Sequence, residues 1–368
     1  MSDVGSRLYD VTALALTTYA RTCYRVRRVG ARFELAPRTL VVSSHQSDDD
    51  VPVLVTCLYR PAHGLWRRGP RLHFAVRDDL FGPGFFAGYP RGLPRPLRRL
   101  LFPVNVGPLL RRYLPCHPIR SATTMRVVEL VRDHPEEPLD TLLPLELAQA
   151  LRRRASEIGA EPRLARDVLS GDYADILWTT VGADAVTGSA AAVSWARRRA
   201  AAMDDFRALV ELVRGGGALT IFPEGRPSPD GTLGPVLGGI GAIVRRARPR
   251  AVVPVALGYD PLVPGRPHAF LGIGEPCPPP TDPGEVLALL RRATPLTAGG
   301  SVAAALADGA DPLDRLAEDV ELARGAGRPY EPELDDPAER RERVAVAEGI
   351  ARGRDVARLV RTYRSARA

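Results

Sequence analysis

The chain has 368 residues, of which 45% are hydrophobic and 26% charged, ordinary values for a globular protein large enough for one α/β domain with an addition, or for two domains. No stretch reaches the about 18 apolar residues that a bilayer-spanning helix needs; the nearest, VTALALTTYA (11–20), is too short and too polar. The formal charge of +8 favours anionic partners, but all 51 basic residues are arginine, which a GC-rich codon usage explains, so arginine content alone identifies no partner.

Residues 5–28 are expected to form a helix, with Leu8, Val11, Leu14, Leu16 and Tyr19 on an apolar side and RTCYRVRR as a basic end. The start of the chain lacks the pattern of a secretory signal. TLVVSS (39–44) is a buried strand running straight into His45, and VPVLVTCLYR (51–60) a helix with Pro52 in its first turn. RLHFAVR (71–77) is a second strand. Residues 81–118 mix Pro, Gly, bulky apolar groups and Arg without a clean period, as an irregular loop or a lipid-facing surface would. Residues 124–215 look mainly helical, ALTIFPEG (218–225) is strand into turn, 236–247 a helix and AVVPVALGY (251–259) a buried strand. Repeated strand, turn and helix predict an α/β fold with a mostly parallel sheet flanked by helices. Beyond PCPPPTDP (276–283) the composition shifts to Ala, Arg, Glu and Asp, which predicts a helical C-terminal appendage over 284–368, broken at 327–337 and ending in one basic, partly amphipathic helix. The domain reading is therefore an N-terminal helix region at 1–35, an α/β domain at 36–283 with a helical insertion at about 125–200, and the appendage.

The stretch SSHQSDDD (43–50) sets a histidine before three aspartates at the end of a strand. A metal site lacks support: there is no HExxH, no paired Cys/His spacing and no calcium-loop pattern after Asp48. Cys23, Cys57, Cys116 and Cys277 have no CxxC spacing and are expected to be reduced, mostly buried thiols. RGGGALT (214–220) lacks the Gly-Lys-Ser/Thr end of a P-loop, GGIGAIV (238–244) only partly imitates GxGxxG, and no GxSxG elbow is present. What remains is a His–Asp pair suited to general base catalysis. The carboxylate holds one ring nitrogen and leaves the other basic and facing substrate. Helical spacing alone favours Asp48 or Asp49 as the partner, since i+3 and i+4 share a face.

HQSDDD, FPEG (222–225), Arg120 in LPCHPIR and VVPVAL (252–257), in this order over roughly residues 20–280, resemble the PlsC-type glycerolipid acyltransferases. HQSDDD fits their NHxSxxD motif, FPEG begins their FPEGTRS motif, and Arg120 stands where they carry an arginine between the two. The resemblance selects Asp50 over Asp48 and Asp49, which become charges at a helix N-terminus. It implies that His45 and Asp50 are catalytic and that Arg120, Glu224, Gly225 and Arg226 place the glycerol-phosphate end of the acceptor. The chain departs from the pattern where Ser44 replaces asparagine, Leu114 replaces glycine, and Arg226 and Pro227 replace threonine and arginine.

The resemblance further implies an enzyme on the cytoplasmic face of a membrane, attached peripherally. It would move a fatty acyl group from acyl-CoA or acyl carrier protein, as co-substrate, to 1-acyl-glycerol-3-phosphate in phospholipid synthesis. No metal, other cofactor or nucleic-acid partner is implied. The rivals are acylation of glycerol 3-phosphate or another lysolipid, a catalytically silent lipid-binding relative, and an arginine-rich nucleic-acid binder. The last lacks an aromatic stacking set and any recognisable module.

Overall fold

A computed structural model describes residues 3–58, 72–88, 93–105, 107–108, 115–186, 189–228, 230–280 and 282–367. Leu114, parts of the segment 81–118 and the end of the helix expected at 51–60 lie outside the described residues.

The strands are β1 Arg25–Gly30, β2 Thr39–Ser43, β3 Leu72–Arg77, β4 Cys116–Ile119, β5 Thr124–Arg126, β6 Thr180–Gly182, β7 Ala218–Ile221, β8 Ala251–Asp260 and β9 His268–Ile273. Seven of them form one sheet in the order β1-β9-β8-β2-β7-β3-β4. Pairing is parallel for β1 with β9 and along β8, β2, β7 and β3, and antiparallel only between β8 and β9 among the registers described. The chain is thus α/β with a mostly parallel mixed sheet flanked by helices, in the class expected. By contacts it divides into two compact units, Met1–Phe74 with Leu209–Ala368, and Ala75–Ala208.

In the first unit all five residues of β2 are buried, as a central parallel strand covered on both faces requires. β8 carries Pro254 between two neighbouring strands, where a missing N–H would normally break a ladder. Here it does not: the Pro254 carbonyl accepts from Gly274 N (2.9 Å), and the β9 register begins only at Val255, so the absent N–H falls beyond the end of the ladder.

The helix expected over 5–28 stops at Cys23, and Arg25–Gly30 is β1. Parallel pairing of RVRRVG with β9 overrides the helical reading, and the two valines suit a pleated strand. The sequence reading gave β9 no element of its own.

After β9 the first unit adds helices Pro283–Ala293, Ala298–Asp308, Pro312–Gly325, Pro337–Ala351 and Ala357–Arg367. Three of them begin at an Asp-Pro step. Asp282, Asp311 and Asp336 each cap a backbone N–H in the first turn, and the following proline occupies the position that needs no donor. The Ala/Gly/Ser-rich helix Ala298–Asp308 is buried from Ala298 through Ala305 and packs against the three helices after it. Its N-terminus meets buried Asp260 at the end of β8, which accepts from Gly299 N at 2.8 Å. The single terminal helix expected over 338–368 is two: Gly353 interrupts it, and Asp355 caps the second through Ala357 N at 2.9 Å.

The second unit has its own core, including Met125, Leu130, Leu151, Tyr173, Leu177 and Trp195. Its expected helices are joined by an antiparallel pair, β5 with β6, that the helical reading of 124–215 did not contain. A charged network lies beside this core. Buried Arg198 pairs with Asp78 (3.0 Å) and Glu129, and its Nε donates to the Ser121 and Thr124 carbonyls.

Burial, reinforced by the Asp78 charge, pushes Glu129 up to about 7, and the Arg198 charge only partly opposes this. A carboxyl raised on folding contributes its stability below the unfolded value and loses it as pH rises through the folded one. Between about pH 4.5 and 7 the wild type is therefore expected to lose stability relative to Glu129→Gln. Urea melts of both proteins across that range check this, and a constant gap between them would refute it.

Candidate active site

Three adjacent strands, β8, β2 and β7, run parallel; β2 and β7 end side by side, and β8 continues from Val255, opposite Ser43, to Asp260, at the carboxyl edge where open α/β sheets place ligands. His45 follows β2, Phe222–Gly225 follow β7, and Tyr259 lies near the end of β8. Ser44, the first residue after β2, is fully buried and bridges to β8: its N–H donates to the Val255 carbonyl (3.1 Å) and its Oγ accepts from Leu257 N (2.9 Å). The hydroxyl thus satisfies a backbone donor where the resemblance expects an asparagine.

His45 sits in the turn before helix Asp50–Leu58. His45 Nδ1 lies 2.9 Å from Asp50 Oδ2. Asp50 is completely buried. The same oxygen accepts from Gln46 N (2.6 Å) and Ser47 N (3.0 Å), and Oδ1 accepts from Tyr259 Oη (2.7 Å). With two backbone donors already on Oδ2, the proton of the histidine contact belongs on Nδ1. Nε2 is then the lone-pair nitrogen, on the opposite edge of a ring whose side chain is 17% exposed. Burial, with the Asp50 charge, holds the Tyr259 phenol far above its ordinary range, so it stays a donor.

The i+5 spacing works because His45 precedes the helix. Its ring folds back on the first residue of that helix, which a helical i+3 or i+4 rule does not describe. Asp49 faces elsewhere: it accepts from Tyr19 Oη (2.8 Å) on helix Asp3–Cys23 and from Tyr24 Oη (2.5 Å). Asp49 thus anchors the turn to the N-terminal helix, while Asp50 serves the histidine.

FPEG is a tight turn in which each residue has a distinct contact. Gly225 N donates to the Phe222 carbonyl (3.0 Å), with Pro223 second and Gly225 fourth, at φ +71°. The Phe222 ring stacks on His45 with centroids 4.3 Å apart. Glu224 is buried; its Oε1 accepts from His45 N (2.9 Å) and its Oε2 from Gly234 N (2.7 Å). Burial raises the Glu224 carboxyl, while these two backbone donors pull it down. Ser228 N donates to the His45 carbonyl (2.8 Å). The loop after β7 thus grips the histidine backbone from both sides.

The six residues singled out from sequence are divided between the two units. His45, Asp50, Glu224, Gly225 and Arg226 belong to the first unit. Glu224 has both oxygens engaged by backbone N–H groups, so its part is to brace the histidine. Arg226 is exposed, with no side-chain partner seen among the described residues. Arg120 belongs to the second unit, where its Nη1 holds Asp205 (2.8 and 2.9 Å) and its Nε lies 3.8 Å from Asp78.

Sequence reasoning missed Tyr259, Phe222 as a stacking partner, and Arg358. Arg358, from helix Ala357–Arg367, donates through Nη2 to the Gln46 carbonyl (2.6 Å) and the Ser228 carbonyl (3.3 Å). An aromatic residue at the start of FPEG was the available signal for Phe222; no local pattern marks the other two.

All four cysteines are free and half-buried rather than mostly buried, and burial pushes Cys57 and Cys116 up to about 12. No group of three or more His, Cys, Asp or Glu able to hold a metal ion is found among the described residues. No described helix is long and apolar enough to cross a membrane. Comparison with family models, curated proteins and solved structures gives no match.

Proposed function

We propose that this protein is an O-acyltransferase that moves a fatty acyl group from a thioester to a hydroxyl of a glycerol-phosphate lipid, 1-acyl-glycerol-3-phosphate being the first acceptor to test. The observation that carries the reading is the His45 Nδ1 contact to fully buried Asp50 at the end of β2, in the motif order that resembles the PlsC-type glycerolipid acyltransferases. His45 Nε2 takes the proton of the acceptor hydroxyl as its oxygen attacks the thioester carbonyl. The tetrahedral intermediate then expels the thiolate, which takes up a proton as the free thiol. Asp50 fixes the tautomer and stabilises the imidazolium that forms. Tyr259 and the Gln46 and Ser47 amides keep Asp50 in place, and Glu224 and Ser228 keep the histidine backbone in place. Holding base and two substrates in register supplies a large part of such a rate enhancement.

Within this reading the acceptor's phosphate does not meet Glu224, whose carboxylate is engaged and would repel it. The exposed Arg226 is the residue of the FPEG loop suited to that charge. A thioester donor and a lysolipid acceptor meet at a membrane surface, so the reading includes peripheral attachment at the cytoplasmic face.

The test is release of free thiol from palmitoyl- or oleoyl-CoA by the purified chain. The acceptors are 1-acyl-glycerol-3-phosphate, glycerol 3-phosphate and other lysolipids, each compared with no acceptor, and acyl carrier protein thioesters are run in parallel. Acceptor-dependent release with formation of the acylated lipid is expected. Release that ignores the acceptor, or none with any donor and acceptor pair, would refute the proposal and favour a silent lipid-binding protein.

A further inference from the structure

We propose that Arg358, on the helix Ala357–Arg367, is an anion-binding residue of the His45 site and takes the acceptor's phosphate together with Arg226; the substrate side of this rests on the acyltransferase reading. The two hydrogen bonds of its Nη2 go to the carbonyls of Gln46, the residue after the histidine, and of Ser228, whose own N–H holds the histidine carbonyl. The guanidinium is therefore fixed within one residue of His45 on one side and two residues of Arg226 on the other.

Both acceptors are neutral carbonyls, and no salt-bridge partner of Arg358 is seen among the described residues. On the same helix Arg361 likewise donates to a backbone carbonyl, that of Asp230, whereas two other arginines have acidic partners. Arg364 pairs with Asp308 and Arg367 with Asp319. The nearest acidic residue of the 228–234 loop, Asp230, turns its carboxylate into that loop, toward Ser228 and Thr232. Arg358 is exposed, and Nε and Nη1 have no partner seen among the described residues. Nη2 is spent on the loop, while Nε–H and the Nη1 hydrogens remain as charged donors for an anion such as a phosphate. Arg120, which the motif order would give this task, already has Asp205 as its partner in the other unit.

The docking is specific. Along the helix, Ser365 Oγ accepts from Leu233 N (2.9 Å) and Arg361 Nε reaches the Asp230 carbonyl (3.4 Å). A side chain at Gly231 would meet Thr362 Oγ1 at 2.0 Å, so the loop and the helix are in close approach.

The full chain, R358Q and R358K are titrated with glycerol 3-phosphate by calorimetry, without acyl donor and with glycerol as the neutral control. Thermal melts confirm folding. The wild type is expected to bind glycerol 3-phosphate and not glycerol. R358Q is expected to lose about tenfold or more in affinity, because a hydrogen bond to a charged group is lost. R358K, which keeps charge without the fork, should fall between; it decides the matter if R358Q does not fold. Equal affinity in wild type and the folded variants, or no binding by the wild type, overturns the proposal.

In turnover, R358K should raise KM for 1-acyl-glycerol-3-phosphate by a larger factor than KM for a neutral monoacylglycerol acceptor, with little change in KM for the acyl donor. An equal fall in kcat for both acceptors would show a purely loop-holding residue and overturn the phosphate assignment. Absence of thiol release with every acceptor refutes the acyltransferase reading alone, since the titration needs no turnover.

Discussion

Replacing His45 by alanine is expected to lower acceptor-dependent thiol release by about 10²–10⁴-fold, the contribution of a positioned general base. Among the described residues the ring makes one side-chain hydrogen bond, to Asp50, and stacks on Phe222. The backbone contacts that shape the turn, from His45 N to Glu224 and from Ser228 N to the His45 carbonyl, do not use the imidazole. The variant should therefore fold, bind acceptor and donor with little change, and fail in kcat. Rapid-mixing kinetics of thiol release beside equilibrium binding of the acceptor would separate these. A variant that keeps more than about a tenth of the wild-type kcat would remove His45 from the role of base.

Asp50→Asn is expected to be nearly as damaging, while Asp49→Asn is not, although both replace one aspartate of the same run by its amide. Asp50 receives four donors on two oxygens: the histidine ring, two backbone amides and Tyr259. An amide offers one oxygen and places an NH2 against donors. The histidine would then turn or change tautomer, carrying its proton on Nε2, where the base must be free. A loss of about 10²-fold or more in kcat follows, with some loss of stability because buried donors go unpaired. Asp49 receives Tyr19 and Tyr24, both phenols held well above their ordinary range, Tyr19 first by its bond to Asp49 and Tyr24 first by burial. Its asparagine can still accept from one of them, and kcat should stay within about threefold of wild type. Paired assays on material checked by thermal melts decide this. The reverse ranking of the two variants would assign the histidine's partner to Asp49.

The parts of the site legible in the sequence are those written locally. TLVVS before His45 is an unbroken apolar run, and β2 is buried along its whole length. Pro and Gly at the second and fourth positions of FPEG mark a turn, and Gly225 takes the positive φ. The helix after His45 followed from its length and Pro52, but helical spacing alone favoured Asp48 or Asp49, and only the resemblance pointed to Asp50. What stayed hidden depends on partners far along the chain. Arg25–Gly30 could be a helix end or a strand until β9 lies beside it. Tyr259 is one of ten tyrosines, and nothing around it marks the one that reaches Asp50. Arg358 is one of 51 basic residues, and the basic terminal stretch hid it. Arg120 was read from motif order, which cannot show that Asp205 lies beside it. The Asp-Pro steps at 282, 311 and 336 were visible helix starts, and they outline the C-terminal helices better than the composition shift did.

The contact between Arg358 and Gln46 joins residues 312 positions apart. Bringing chain ends that distant together costs on the order of 5 kcal/mol of configurational entropy in a featureless chain, and contacts of such separation form after the local ones that shorten the intervening path. The turn holding His45 can gain its strand and its helix early from neighbouring residues. Its outer rim closes only when the terminal helix docks. That helix is held by the C-terminal helical core, where Val360 is buried and Tyr363 donates to Asp319 (2.7 Å), so the packing of those helices reaches the rim of the site.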